Sequence, residues 1–202
     1  MAGLDGLGAT AMIRDGPFAK FSRVIDIGGS RGHFLNRLLA AYPSMQGVLL
    51  DRPPVIAIAS KLFAKDGVYN NTGSRAKLVS GSFFEPSTIP RAADGDAYYL
   101  RYILHDWPVK DVEHILKNVR AAMGSSHATL LIGECAIPDR DRVPIPPILA
   151  AIDIQMMAAF PEAKERTPSE WRVLLSKTGS RFRVVALHST RSLVQWVEAV
   201  PI

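Results

Sequence analysis

Short apolar runs alternate along the chain with longer amphipathic stretches, the pattern of strands in a parallel sheet joined by crossover helices. The runs fall at 24–27, 47–50, 77–79, 97–100 and 128–132. Between them, Phe34, Leu35, Leu38 and Tyr42 recur at the spacing of one helix face, and Val112, Ile115, Leu116 and Val119 do the same. Both faces are predicted to pack on the sheet. Pro108 is predicted in the first turn of the second helix, where its missing N–H costs nothing. Past Cys135 the rhythm changes. Residues 137–147 are rich in proline and charge and read as a loop, and a helix is predicted over 148–159. Thr167-Pro168-Ser169-Glu170 has the form of a capping box opening a helix that runs to about Thr178. Two strands, 182–187 and 192–197, joined around Ser189 and Thr190, are predicted as an antiparallel hairpin at the sheet edge. The expected fold is α/β, a mostly parallel seven-stranded sheet with helices on both faces, formed by residues 21–202 after a short N-terminal segment, 1–20.

With 202 residues and 48% hydrophobic content, the chain can bury one substantial core. Its single cysteine, Cys135, can make no internal disulfide, and no Cys/His cluster has zinc-ligand spacing, so a metal-free protein of a reducing compartment is expected. The net charge of +5 is dispersed among acids, without the basic run or interleaved aromatics of a nucleic-acid surface. No apolar stretch approaches the roughly 18 residues that span a bilayer, and no secretory leader opens the chain. A cytoplasmic protein with neither a membrane nor a nucleic-acid partner is the expectation.

The first candidate chemistry lies at Val24-Ile25-Asp26-Ile27-Gly28-Gly29-Ser30-Arg31-Gly32, an apolar strand feeding a glycine-rich turn and a helix. That arrangement lets a ligand approach backbone N–H groups at a helix start. A dinucleotide fingerprint would need glycine at positions 28, 30 and 33, where this chain has Gly28, Ser30 and His33, so a pyrophosphate cradle and an NAD-linked dehydrogenase are poorly supported. Asp51 ends the second strand about twenty residues on, where an acid accepts hydrogen bonds from ribose hydroxyls. His105 follows the fourth strand, at the sheet end where open α/β sheets bind ligands.

DIGGS-RG, LLDRP, SGSFFEP, LRYILHDWP, LLIGECAIP and AKERTPSEW, in this order, resemble the catalytic domain of the plant, fungal and bacterial O-methyltransferases related to caffeic acid and hydroxyindole O-methyltransferases. The resemblance runs from about residue 18 to 197 and implies a Rossmann-like class I methyltransferase fold with S-adenosylmethionine as cofactor. It implies that His105 removes the proton from a substrate hydroxyl while the sulfonium methyl is attacked in line, with Glu134 and Glu165 as flanking acids. A free imidazole, with pKa of about 6.5, is largely neutral at neutral pH, as a base must be. A phenol with pKa of about 10 gives it a proton reluctantly, so carboxylates that stabilise the imidazolium are expected to help.

The resemblance further implies cofactor contacts from Asp26, Gly28, Gly29, Ser30, Asp51, Arg52, Ser82, Phe83, Arg101, Asp106 and Trp107. Met156 and Phe160 are implied at the aromatic ring of the acceptor. His33, His114, His127 and His188 match no family site and read as surface or packing residues. Three departures stand out. Ser82 replaces an acid that meets the adenine amine, Arg101 replaces a lysine, and Phe160 replaces a polar substrate contact of phenylpropanoid enzymes. The family's N-terminal dimerisation and lid region has no counterpart before the first strand, which opens the alternative of a non-catalytic cofactor-binding module, or of a dimer or a partner subunit that completes the pocket.

Overall fold

The computed structural model describes residues 5–139, 144–160, 162–177 and 181–202. Seven strands form one sheet: β1 (Arg23–Ile27), β2 (Gln46–Asp51), β3 (Ala76–Ser80), β4 (Asp96–Arg101), β5 (Thr129–Cys135), β6 (Phe182–Ser189) and β7 (Val194–Pro201). Their order is β3-β2-β1-β4-β5-β7-β6, parallel up to β5 and antiparallel from β7 onward. The hairpin closes the sheet edge, with β7 inserted beside β5. The order reverses between β1 and β4, and at such a switch point the carboxyl ends of the strands diverge into a crevice.

Alternation along the central strands divides the core into two layers. Ile25, Ile27, Tyr98 and Leu100 face one side, under α5 (Val109–Met123) and α7 (Pro168–Lys177). Val24, Leu49, Ala97 and Tyr99 face the other, under α1 (Asp5–Asp15), α2 (His33–Ala41) and α3 (Pro53–Phe63). The predicted faces of α2 and α5 are buried, with Leu39 added to the first and Tyr42 only half-buried at its end. A short turn, α4 (Asn70–Gly73), leads into β3.

Some expectations need correction. Pro108 stands one place earlier than predicted, as the extended N-cap of α5 (φ −61°, ψ 156°). The N-terminal segment contains α1, which the sequence reading lacked. Met12, Ile13 and Phe18 are buried against Trp196, whose Nε1–H donates to the Met12 carbonyl at 3.0 Å. Gly133 makes room for that indole, since a Cβ there would stand 2.4 Å from the ring. The capping box is present: the Glu170 N–H donates to Thr167 Oγ1 (3.2 Å) and the Thr167 N–H to Glu170 Oε2 (2.9 Å). The expected end of α7 at Thr178, and residues 140–143 of the expected loop, lie outside the described residues. The last helix before the capping box is α6 (Pro147–Ala159).

Candidate active site

β4 leaves the sheet through Tyr102, which is in the left-handed region (φ +56°), and a 3₁₀ turn, Leu104–Asp106, follows. This turn buries His105, and the Tyr102 ring stacks on the imidazole (5.7 Å between centroids, 25° between planes). His105 Nδ1 lies 2.7 Å from Glu165 Oε1. The carboxylate fixes the proton on Nδ1, which leaves Nε2 of the neutral ring as the free base. Nε2 lies 3.4 Å from Asp106 Oδ1.

Glu134 acts differently from expectation. It ends β5 beside the turn, but its Oε1 accepts from the main-chain N–H groups of Leu104 (2.6 Å) and His105 (3.1 Å), not from the ring. Its carboxylate therefore holds the backbone of the turn and reaches the imidazole only through its charge.

The grip on this turn comes from three consecutive residues. The Lys164 N–H donates to the His105 carbonyl (3.1 Å), Glu165 holds Nδ1, and Arg166 donates to the Leu104 carbonyl (2.9 Å) and the Trp107 carbonyl (3.1 Å). Arg166 was missed by sequence reasoning, as was Asp153, whose Oδ1 accepts from the Glu165 N–H at 2.9 Å. The KERT motif contained the first signal, a cation between two matched positions; Asp153 had no signal. On α6, Asp153 and the buried Met156 are three residues apart and so share a face. Phe160, at the end of that helix, is half-exposed.

Electrostatics overturn one expectation. Burial disfavours a charged His105, yet the Glu165 hydrogen bond and the charges of Glu134, Glu165 and Asp106 outweigh it and lift its pKa to about 9. The imidazole is therefore protonated, not neutral, at neutral pH while the site stands as it is. Burial also pushes Glu134 up to about 7 and raises Asp106.

At the switch point, Gly28 (φ +73°), Ser30 (φ +55°) and Gly32 (φ +79°) form the turn from β1 into α2. Asp51, ending β2, accepts from the Ser30 N–H (2.7 Å) and the Arg52 N–H (2.7 Å). Asp26 is buried beneath the turn, where burial raises its pKa to about 7 against the opposing influence of Tyr99 and Arg101. A Cβ on Gly29 would stand 2.1 Å from Asp26 Oδ2, so only glycine lets the backbone lie over that carboxyl. Asp26 thus supports the turn from below.

Phe83 and Ile103 stand over Gly28, and Phe83, Phe84 and Trp107 form an aromatic cluster with Phe84 and Trp107 at 4.9 Å. Arg101 lies over the rings of Phe34 and Tyr102. Ser82 is engaged within its own loop: its N–H donates to Thr88 Oγ1 (2.9 Å) and its Oγ accepts from the Phe84 N–H (3.2 Å). The other histidines pack or pair elsewhere. His33 pairs with Tyr69, His114 meets Phe84, and His127 and His188 pair with Asp94 and Glu198.

Residues 1–181 match the O-methyltransferase domain, Methyltransf_2. Phenazine O-methyltransferase PhzM of Lysobacter antibioticus is 36% identical over 194 residues, covering 96% of this chain and 52% of the relative. The 8-amino-8-demethylriboflavin N,N-dimethyltransferase of Streptomyces davaonensis is 36% identical over 172 residues, 85% of this chain and 45% of the relative. Among solved structures, CalO1, a methyltransferase in calicheamicin biosynthesis in its SAH-bound form, superposes with a TM-score of 0.79 at 30% identity, covering 97% of this chain and 54% of that one. The chain spans about half the length of these relatives. The glycine turn, the acid of β2 and the aromatic cluster stand together at the switch point; NcsB1, from neocarzinostatin biosynthesis, was solved in complex with S-adenosylmethionine at 27% identity. The chain belongs to the O-methyltransferase domain family.

Proposed function

We propose that this chain transfers the methyl group of S-adenosylmethionine to a hydroxyl of an aromatic small molecule, with His105 as general base. The observation that carries the reading is the buried His105–Glu165 pair of 2.7 Å at the switch-point end of the sheet, with Nε2 left as the site for an incoming proton. The raised pKa strengthens this base. Against a phenol of pKa about 10, an imidazole at its ordinary value of about 6.5 faces an unfavourable proton transfer of about 5 kcal/mol, and one at about 9 faces little more than 1 kcal/mol. Glu165 stabilises the imidazolium that forms, while Glu134, Arg166 and Lys164 hold the turn that carries it.

The cofactor supplies an electrophilic methyl on a sulfonium. Gly28, Gly29 and Ser30 would hold it through the backbone, Asp51 through the ribose, and Phe83 and Trp107 along the adenine, with Arg52, Ser82, Arg101 and Asp106 at its margins. Met156 and Phe160 would meet the acceptor. Residues 21–202 would form the catalytic domain. The exposed apolar side chains of α6, Ile148, Ile154 and Met157, support docking of a second copy or a partner subunit there. Among the described residues no helix is long and apolar enough to cross a membrane, and a cytoplasmic location is proposed from the single, unpaired Cys135.

The test is His105→Ala with a panel of phenols, hydroxyindoles and phenazinols, and one aromatic amine because a relative is named for N-methylation. Turnover is expected to disappear while calorimetric affinity for S-adenosylmethionine stays within about threefold, a loss confined to the chemical step. Activity near the wild-type level would remove His105 from the role of base.

A further inference from the structure

We propose that His105, Glu134 and Glu165 also bind a divalent transition-metal ion of the zinc type, which occupies the base and blocks it. Among the described residues, six buried side-chain atoms have no hydrogen-bond partner, and four belong to one cluster: His105 Nε2, Glu134 Oε2, Glu165 Oε2 and Asp106 Oδ1. Nε2 and Asp106 Oδ1 face each other at 3.4 Å, but Glu134 Oε2 and Glu165 Oε2 are left unsatisfied beside the histidine, and unpartnered buried polar atoms are costly, so the cluster points to a further ligand. One ligand atom each from His105, Glu134 and Glu165 lies within 4.8 Å of the others, the one such group of three found among the described residues.

The donor chemistry selects the ion. An imidazole nitrogen with two carboxylates suits zinc or a similar first-row ion, whereas magnesium favours oxygen ligands and its own waters. Zinc bonds nitrogen and oxygen at about 2.0–2.2 Å, so the ligand atoms need to stand about 3.4 Å apart. Nδ1 and Glu165 Oε1 are 2.7 Å apart, a gap that opens slightly if a metal replaces the shared proton. Glu134, whose ligand atom lies within 4.8 Å of the other two, joins through the carboxylate oxygen that its backbone bonds leave free.

Charge favours the same outcome. Three carboxylates, Glu134, Glu165 and Asp106, face one fixed cation, Arg166, so the cluster has room for more positive charge than a single proton brings. Asp106 provides access, because its side chain is 29% exposed and lies 3.4 Å from Nε2. An ion on Nδ1 leaves the neutral ring's one proton on Nε2, the atom that must accept the substrate's proton, so the ion inhibits; this consequence rests on the proposed function, and the binding does not.

The experiment is calorimetric titration of the purified chain with Zn²⁺ and, separately, Mg²⁺ in a weakly coordinating buffer. It is repeated with His105→Gln, Glu134→Gln and Glu165→Gln, each checked for folding by circular dichroism. One Zn²⁺ per chain is expected, weakened at least tenfold in every folded variant, with Mg²⁺ at least a hundredfold weaker. No Zn²⁺ binding would overturn the proposal. So would affinity unchanged in the variants, which would move the ion to a surface pair such as His127 and Asp94. Zinc binding at the cluster in a chain that methylates nothing would defeat the proposed function alone; methylation without zinc binding would defeat this inference alone.

Discussion

Replacing Arg166 by methionine tests whether the geometry of His105 is imposed from behind. Arg166 is 1% exposed, and its two guanidinium nitrogens donate to the carbonyls of Leu104 and Trp107, which bracket the turn that carries the imidazole. Methionine fills much of the space and donates nothing. The Leu104 carbonyl then keeps only the long bond from the Trp107 N–H (3.3 Å), the partly buried Trp107 carbonyl loses the Arg166 donor, at about 1–3 kcal/mol for a lost buried bond, and Glu134 and Glu165 lose the positive charge of Arg166. Breaking a buried charge arrangement by removing one partner typically costs about 3–5 kcal/mol. A loss of about 3–5 kcal/mol is therefore expected, a large share of the roughly 5–15 kcal/mol that holds a domain folded. The assay is equilibrium urea unfolding followed by far-ultraviolet circular dichroism. Arg166→Lys, which keeps the charge but cannot bridge both carbonyls in one plane, is expected to recover about half of the loss. A methionine variant within about 1 kcal/mol of wild type, a normal surface-substitution effect, would refute the clamp.

Two further outcomes follow from the same geometry. Turnover should rise about tenfold per pH unit from pH 6.5 and level off near 9, because the base must lose a proton that the carboxylates hold; Glu165→Gln should move the break to lower pH, and a profile already flat from pH 7 would contradict the raised value. Stability has the matching sign. The folded His105 binds its proton more tightly than the unfolded chain does, so its contribution of about 3 kcal/mol is complete below pH 6.5 and is lost as pH rises towards 9, measurable by urea titration across that range. Glu134 and Asp26, both raised to about 7, also favour the folded state at the acid end, but in a separate window below pH 7. Gly29→Ala should cost about 1–3 kcal/mol and weaken S-adenosylmethionine at least tenfold, since its Cβ meets Asp26 Oδ2 at 2.1 Å and Leu49 Cδ1 at 2.4 Å; an alanine variant with wild-type melting and affinity would show that the turn is free to move.

What could be read in the chain before any coordinates divides along a physical line. The strands and the helices α2, α5 and α7 were legible because their signals are local: a short apolar run, an apolar face, a threonine and a glutamate three apart. α1 was not, because Asp5–Asp15 contains two glycines and little amphipathic contrast, and what docks it is an indole from β7 near the far end of the chain. The same division runs through the site. Gly28, Gly29, Ser30 and Asp51 could be found from a strand, a turn and an interval, and the structure brings Ser30 and Asp51 into contact. For Glu134 the interval showed that an acid ends β5 beside the histidine, but which atom it meets depends on how the Leu104–Asp106 turn folds back, and the answer was the backbone.

Arg166 is the sharper case. Its burial and its two carbonyl partners exist only once the segment after α6 is laid against the turn after β4. The pKa of His105 has the same origin. Asp106 adjoins His105 while Glu134 and Glu165 come from two other parts of the chain, and although the resemblance implied these two acids, the size of their joint effect depends on the assembled distances. Local pattern therefore locates a base, while its strength belongs to the assembled cluster. This is why the neutral histidine inferred from an isolated imidazole becomes a protonated one here, and why the pH profile of turnover is the measurement on which the two descriptions differ most.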